Sequence, residues 1–255
     1  MTKAESGTPR ILWRDEALIA VFKPAAWHCF GGEESLADWL LRQFPELAKV
    51  GDVEQPALLH RLDQQTSGLM LAARSDAVYH KMRQAFSAKV LDKEYLSLVC
   101  GRLEEDSQVS GKLGGRYRRS RRVWVDDGSR RLRGLRSAQT WIHPLASGSL
   151  DGKDLTLALT RMRSGVRHQI RAHLAHLGHP IFGDLLYGAP ASGSERFFLH
   201  AWRIHGPHPA GGDELNQTCP LPDDFFDVLK QSGLLQALPP ESRPLTSSRP
   251  PDRLL

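Results

Sequence analysis

The chain has 255 residues, 40% of them hydrophobic, and no run of 18 or more apolar residues, which suits one large or two small globular domains and argues against a membrane-spanning helix. The opening MTKAESGTPR lacks the apolar core and cleavage site of an export signal, and Cys29, Cys100 and Cys219 form no CxxC pair, so a disulfide framework and a thiolate zinc site are disfavoured and a cytoplasmic protein is expected. The net charge of +5 is concentrated: residues 111–136 hold nine Arg, one Lys and two Asp, a net +8, so the remainder sums to −3.

In chain order, ILW and ALIAVF (residues 11–22) read as two short strands separated by Arg14, Asp15 and Glu16 and stopped at Lys23 and Pro24. Ser35 and Asp38 resemble a capping box opening a helix with Leu36, Trp39, Leu40 and Phe44 on one face, closed by Pro45. A second helix starts at Ser75 and sets Val78, Met82, Ala85 and Phe86 at helical spacing. YLSLVC and LTLALT (155–160) alternate as half-buried strands. Ser164 precedes VRHQIRAHLAHLG, a helix with Ile170, Leu174 and Leu177 on its apolar face and a basic, histidine-rich opposite face, stopped by Gly178 and Pro180. A strand FFLHAWRI (197–204) and a short helix around DDFFDVLKQSGLL follow. From Leu238 onward the chain is rich in Pro, Ser and Arg and is expected to be disordered. Strands outnumber helices, so the expected class is α+β, with a mixed, largely antiparallel β-sheet core and flanking helices.

The segment HRLDQQTSGLMLAARS places a carboxylate, Asp63, in a polar turn just before an apolar strand, where a side chain can be held rigidly at the strand mouth. On local chemistry alone, an Asp flanked by Arg is a structural ion pair about three times in four, and a lone His such as His60 is more often structural than a base. The arginine block of residues 111–136 is a candidate phosphate-binding patch, weighed evenly against a solvated, merely solubilising hairpin.

The ordered series of segments sharpens this reading. HRLDQQTSG (60–68) resembles the HRLDxxTSG signature of the RluA-type pseudouridine synthases. VFKPA (21–25) resembles that family's Lys-Pro element, KEYLSLVCG (93–101) its tyrosine strand, RSAQT (136–140) its Ala-x-Thr region and SGVRHQIRAHLAHLGHPIFGDLLYG (164–188) its third motif, with LHA (199–201) following. The likeness covers roughly residues 11–205.

The resemblance implies an isomerase that breaks the N1 glycosidic bond of a uridine in RNA and rejoins the ribose C1′ to C5, with no metal, nucleotide or redox cofactor. It gives Asp63 the part of the catalytic carboxylate and Tyr95 a place lining the pocket. A sheltered carboxylate stays ionised only beside a cation. The family string TGRTHQIR places an arginine where this chain has Val166, so Arg167 is the expected partner, with Arg163 and Arg171 as fallbacks. Arg61 is expected to fill the space left by an unstacked nucleotide. Lys23, His60, Thr66, His168 and Arg171, with Arg118, Arg119, Arg121 and Arg122 on a mobile hairpin, are expected to contact RNA. His173 and His176 have a spacing that can chelate, but interleaved arginines oppose a dication, and no metal is expected.

The resulting expectation is a polar arm (1–10), a catalytic domain (11–238) without an N-terminal S4-type domain and with a basic insertion at 111–136, and a disordered tail (239–255). It would act as a monomer on a stem–loop of ribosomal or transfer RNA. A competing expectation is an RNA-binding or remodelling protein on a synthase scaffold with weak or lost catalysis, and a third is a metal-dependent hydrolase using the histidine helix.

Overall fold

The computed structural model describes residues 7–31, 35–118, 120–193, 196–212 and 214–243. They form two compact units, Met1–Lys93 with His200–Phe226 and Pro239–Leu255, and Glu94–Leu199 with Asp227–Leu238.

In the first unit, β1 (Arg10–Arg14) and β2 (Leu18–Lys23) pair antiparallel across a turn in which the Asp15 carboxylate accepts from the amides of Ala17 and Leu18 at 2.8 and 2.7 Å. β2 pairs antiparallel with β3 (Ser67–Ala73), which lies parallel to β9 (Leu199–Pro207), and β10 (Glu214–Thr218) closes the far edge antiparallel to β9. Every residue of β2 and β3 is buried, which explains why both read as continuous apolar runs rather than alternating ones. Helix α1 (Leu36–Gln43) opens on the expected capping box, with Ser35 Oγ accepting from Asp38 N and the Asp38 carboxylate accepting from Ser35 N at 3.0 Å. Helix α2 (Asp76–Ser87) is capped by Ser75.

The second unit is a sheet in the order β4 (Asp92–Cys100), β8 (Lys153–Met162), β7 (Arg133–Leu150), β5 (Ser107–Gly115) and β6 (Trp124–Val125), with β8–β7, β7–β5 and β5–β6 antiparallel. Strand β8 is not half-buried as its alternation implied. Thr156 and Thr160 are as buried as Leu155 and Leu157. Hydrogen bonding makes this tolerable: Thr156 Oγ1 donates to Gly101 O at 2.8 Å and accepts from Leu103 N at 3.0 Å.

Helix α3 spans Gln169–His176 and α4 spans Asp223–Gln231, so the fold is α+β with a largely antiparallel sheet, as its sequence implied. Helix α3 starts later than its apolar spacing implied, because His168 adopts the left-handed conformation (φ 55°) and leaves residues 163–168 in a turn. The first residues of the stretch expected to lack structure, Pro240–Ser242, form a 3-10 turn whose Ser242 is buried and accepts from Leu221 N at 2.8 Å. Residues 1–6 of the polar arm and 244–255 of the tail lie outside the described residues. Among the described residues no helix is long and apolar enough to cross a membrane.

Candidate active site

Asp63 sits in the turn between His60 and β3, and its neighbours on both sides are clamped by the segment that follows β2. On the N-terminal side, Cys29 Sγ donates to Leu62 O and accepts from Leu62 N, each at 3.3 Å. On the C-terminal side, the Lys23 ammonium donates to Gln64 O at 3.0 Å and to Pro24 O and Trp27 O, both at 2.8 Å, while Gln64 Nε2 reaches Ala26 O at 3.2 Å. Asp63 O itself accepts from Thr66 N at 3.0 Å, closing the turn. Flanking peptides held this way fix the backbone from which the Asp63 carboxylate projects, which is what a positioned reactive group requires.

His60 belongs to this frame. Its Nε2 accepts from Leu71 N at 3.1 Å, and its ring lies 5.2 Å from that of Phe86. Burial, then the nearby Lys93 and Arg83 cations, push the imidazole down to about 3, so His60 is a neutral acceptor at physiological pH.

The strand behind the turn is fixed by a close approach of backbones. Ser67 and Gly68 pair with His200 and Ala201 in the parallel β3–β9 bridge, and Ser67 Oγ lies 2.9 Å from His200 Nδ1. His200 Nε2 lies 3.0 Å from Cys219 O, so both ring nitrogens are engaged. Gly68 has φ +122°, and a Cβ there would fall 2.2 Å from Ala201 O.

In the second unit, Tyr95 is buried on β4, and Thr160 Oγ1 donates to its carbonyl at 3.4 Å. Gln169 organises the turn before α3. Its Oε1 accepts from Ser164 Oγ at 2.8 Å and Val166 N at 3.3 Å, and its Nε2 donates to Gln139 O at 2.8 Å and Thr140 Oγ1 at 3.0 Å. Val166 packs on a small apolar cluster of Leu113, Val123, Ala138, Ala172 and Tyr187, and the Arg167 guanidinium donates to Ser120 O and to Arg121 O. Tyr187 Oη accepts from Val123 N at 3.0 Å and donates to Val123 O at 3.2 Å. These bonds tether the arginine-rich loop at Ser120, Arg121 and Val123. His168 Nδ1 lies 3.2 Å from Tyr187 Oη.

Three residues expected to touch RNA are buried parts of the framework: Lys23 on its three carbonyls, Thr66 in the Asp63 turn, and Arg171, which holds Asp184 in a two-pronged pair at 2.6 and 2.9 Å. Arg61, Arg118 and Arg121 are exposed, and Arg61 lies 5.8 Å from the Phe30 ring centroid. Arg122 is half-buried, and Arg119 lies outside the described residues.

His173 is also turned inward. Thr140 Oγ1 accepts from Gln169 and lies 2.9 Å from His173 Nδ1, with donor and acceptor set by the His173 tautomer, while buried His173 Nε2 has no partner among the described residues. Burial, then His176, push this imidazole down to about 4. The unfolded chain takes up a proton below about pH 6.5 that the folded chain refuses until about pH 4. Stability contributed by His173 is thus complete above pH 6.5 and is lost as pH falls, at up to about 1.4 kcal/mol per unit. Urea unfolding across this range should show a shallower pH slope in His173→Asn than in the parent, and identical slopes would refute the assignment.

The family model for RNA pseudouridylate synthase matches residues 17–176, from the start of β2 through α3. The chain belongs to the RNA pseudouridylate synthase family. Among curated relatives of this synthase-family chain, an RNA pseudouridine synthase of Chloroflexus aurantiacus is 36% identical over 83% of this chain and 63% of its own length. Ribosomal large subunit pseudouridine synthase D of Nitrosomonas europaea is 31% identical over 89% of this chain and 66% of its own. The chain thus spans just under two thirds of these two relatives. The solved structure of human RNA pseudouridylate synthase domain containing 1 superposes with a TM-score of 0.73 at 24% identity, covering 92% of this chain and 90% of that one, a likeness of fold.

Several residues of the framework escaped the sequence reading. Cys29, Ser67 and His200 act through contacts that only the folded chain creates. Trp124 had a visible signal, an aromatic residue inside a basic run, of the kind found on nucleic-acid-binding surfaces.

Proposed function

We propose that this chain converts uridine to pseudouridine in structured RNA, with Asp63 as the attacking carboxylate. The observation that supports this most is the clamped Asp63 turn lying inside the segment that matches the synthase family. The reaction detaches N1 of the base from C1′, turns the base and joins C5 to C1′. N1 gains a proton and the hydrogen at C5 leaves to solvent, so the change is an isomerisation with no net redox. An ionised carboxylate is needed where the sugar or base is attacked. Arg167, with Arg163 as the fallback, is the proposed guanidinium partner, and Tyr95 the proposed pocket side chain. These assignments from the second unit rest on the motif resemblance.

Arg61, exposed and beside Phe30, is suited to fill the gap left by an extruded nucleotide, and Arg118 and Arg121 of the basic loop to track phosphates. The Nitrosomonas relative carries a ribosomal large-subunit name, which makes large-subunit RNA the first substrate to test and transfer RNA the second. A cytoplasmic monomer is the form proposed.

RNA carrying tritium at uridine C5 supplies the test. The purified chain should release tritium to water, EDTA should leave the release unchanged, and Asp63→Asn should reduce it by at least about 10³-fold. Absence of release from any cellular RNA would overturn the proposal, and survival of activity in Asp63→Asn would overturn the role of Asp63. Arg167→Met and Arg163→Met separate the two candidate partners by which one lowers kcat.

A further inference from the structure

The arginine-rich loop carries a constructed feature distinct from its general charge. Trp124 on β6 has three guanidiniums around its indole: Arg122 at 3.7 Å from the ring centroid, Arg130 at 4.4 Å and Arg116 at 5.6 Å. Arg122 also lies 4.8 Å from the Tyr187 ring, whose hydroxyl holds both main-chain groups of Val123. Like charges gathered this closely repel, and two carboxylates, Asp127 and Asp184, offset this in part. Asp127 lies 3.9 Å from Arg130 on the surface, and Asp184 is committed to Arg171. Arg122 Nε is buried with no hydrogen-bond partner among the described residues.

Stacking uses the flat face of a guanidinium and leaves its in-plane N–H groups free. With its ring attended by three cations, Trp124 carries a bundle of guanidinium N–H donors, of which one on Arg130 is already given to Ser129 Oγ at 2.9 Å, rather than a bare face on which a base could stack. Such a bundle matches tetrahedral phosphate oxygens. We propose that Arg116, Arg122 and Arg130, arranged on Trp124, form a phosphate-binding site that holds one phosphodiester of the RNA backbone independently of base identity. The proposal rests on the RNA activity above only for the source of the phosphate. It adds to the outer arginines, Arg118 and Arg121, three that share one aromatic support.

The test is binding of a fluorescein-labelled RNA stem–loop to the full chain carrying Asp63→Asn, measured by anisotropy over a salt series. Arg122→Gln should weaken binding about 5- to 10-fold and reduce the slope of log affinity against log salt by about one. Arg122→Lys keeps the charge without the planar fork and should also weaken binding. Trp124→Leu, with no change of charge, should weaken binding by a similar factor, while Arg133→Gln, an exposed neighbour outside the cluster, should have less than about a twofold effect. Circular dichroism confirms that each variant is folded.

Equal losses in Arg133→Gln and Arg122→Gln would overturn the proposal in favour of diffuse charge, as would full binding by Trp124→Leu. Inorganic phosphate alone should displace the stem–loop only at far higher concentration. Displacement at the same concentration as unlabelled stem–loop would assign the site to free phosphate and overturn the RNA assignment. Loss of tritium release with Arg122-dependent binding intact would sink the catalytic reading alone, and the reverse pattern this one alone.

Discussion

Gly68→Ala is expected to leave the chain unfolded or grossly destabilised, by more than about 4 kcal/mol. Two independent penalties meet at this position. The φ of +122° is a conformation that side-chain-bearing residues rarely adopt. In addition, a methyl group would sit 2.2 Å from Ala201 O and 2.6 Å from Ala201 N, and both are backbone atoms of a buried strand with no rotamer to change. Relief requires β3 and β9 to separate, which also breaks the contact between Ser67 and His200. Thermal and urea unfolding of the purified variant measure the effect, and a melting temperature matching the parent would show that the strands separate at little cost. Gly31→Ala, at a positive φ but with nothing among the described residues within 4 Å of the added Cβ, is the matched control and should lose only about 1 kcal/mol.

Lys23→Met should produce the second large effect, and a more selective one. Methionine preserves most of the apolar stem but removes a buried ammonium that donates to three carbonyls. Removing the donor strands acceptors in a site closed to water, at about 1–3 kcal/mol for each group left unsatisfied. Relief from desolvating the ammonium offsets part of this, so a net loss of about 2–4 kcal/mol is expected. Because one of those carbonyls belongs to Gln64, the residue after Asp63, the variant should also lose kcat for tritium release more than it loses RNA affinity. An affinity loss as large as the kcat loss would instead give Lys23 the RNA contact first expected of it. A stability unchanged from the parent would show that water can replace the ammonium.

The elements legible from sequence were those whose local signals agree with their tertiary setting. The Ser35 and Ser75 caps marked two helix starts, and the buried strands β2 and β3 declared themselves by unbroken apolar runs. Strand β7 was not legible. Its 18 residues include Pro144, Gly134, Gly148 and five arginine or serine positions toward its ends, so its order comes from pairing with β5 and β8 rather than from its own composition. The turn at 163–168 was hidden for the opposite reason. Its spacing suits a helix, but the Gln169 side chain bonds Ser164 and Val166 N and holds the segment open. At the candidate site, the motif identified Asp63, while the agents that fix it, Lys23 and Cys29, lie 40 and 34 residues earlier and were legible only as a Lys-Pro element and an unpaired thiol.

The parallel bridge between β3 and β9 has a kinetic consequence. Ser67 and His200 are separated by 133 residues, so the turn bearing Asp63 acquires the backing of β9 only after most of the chain has been synthesised. Until then β3 is held by β2 and by the 57–60 segment, and only its Ser67–Gly68 end lacks the strand that later covers it. Maturation of the Asp63 turn is therefore a late, long-range event, slow relative to formation of the β1–β2 hairpin. Chains released before residue 201 would carry the complete HRLDQQTSG segment without the strand that holds it in place.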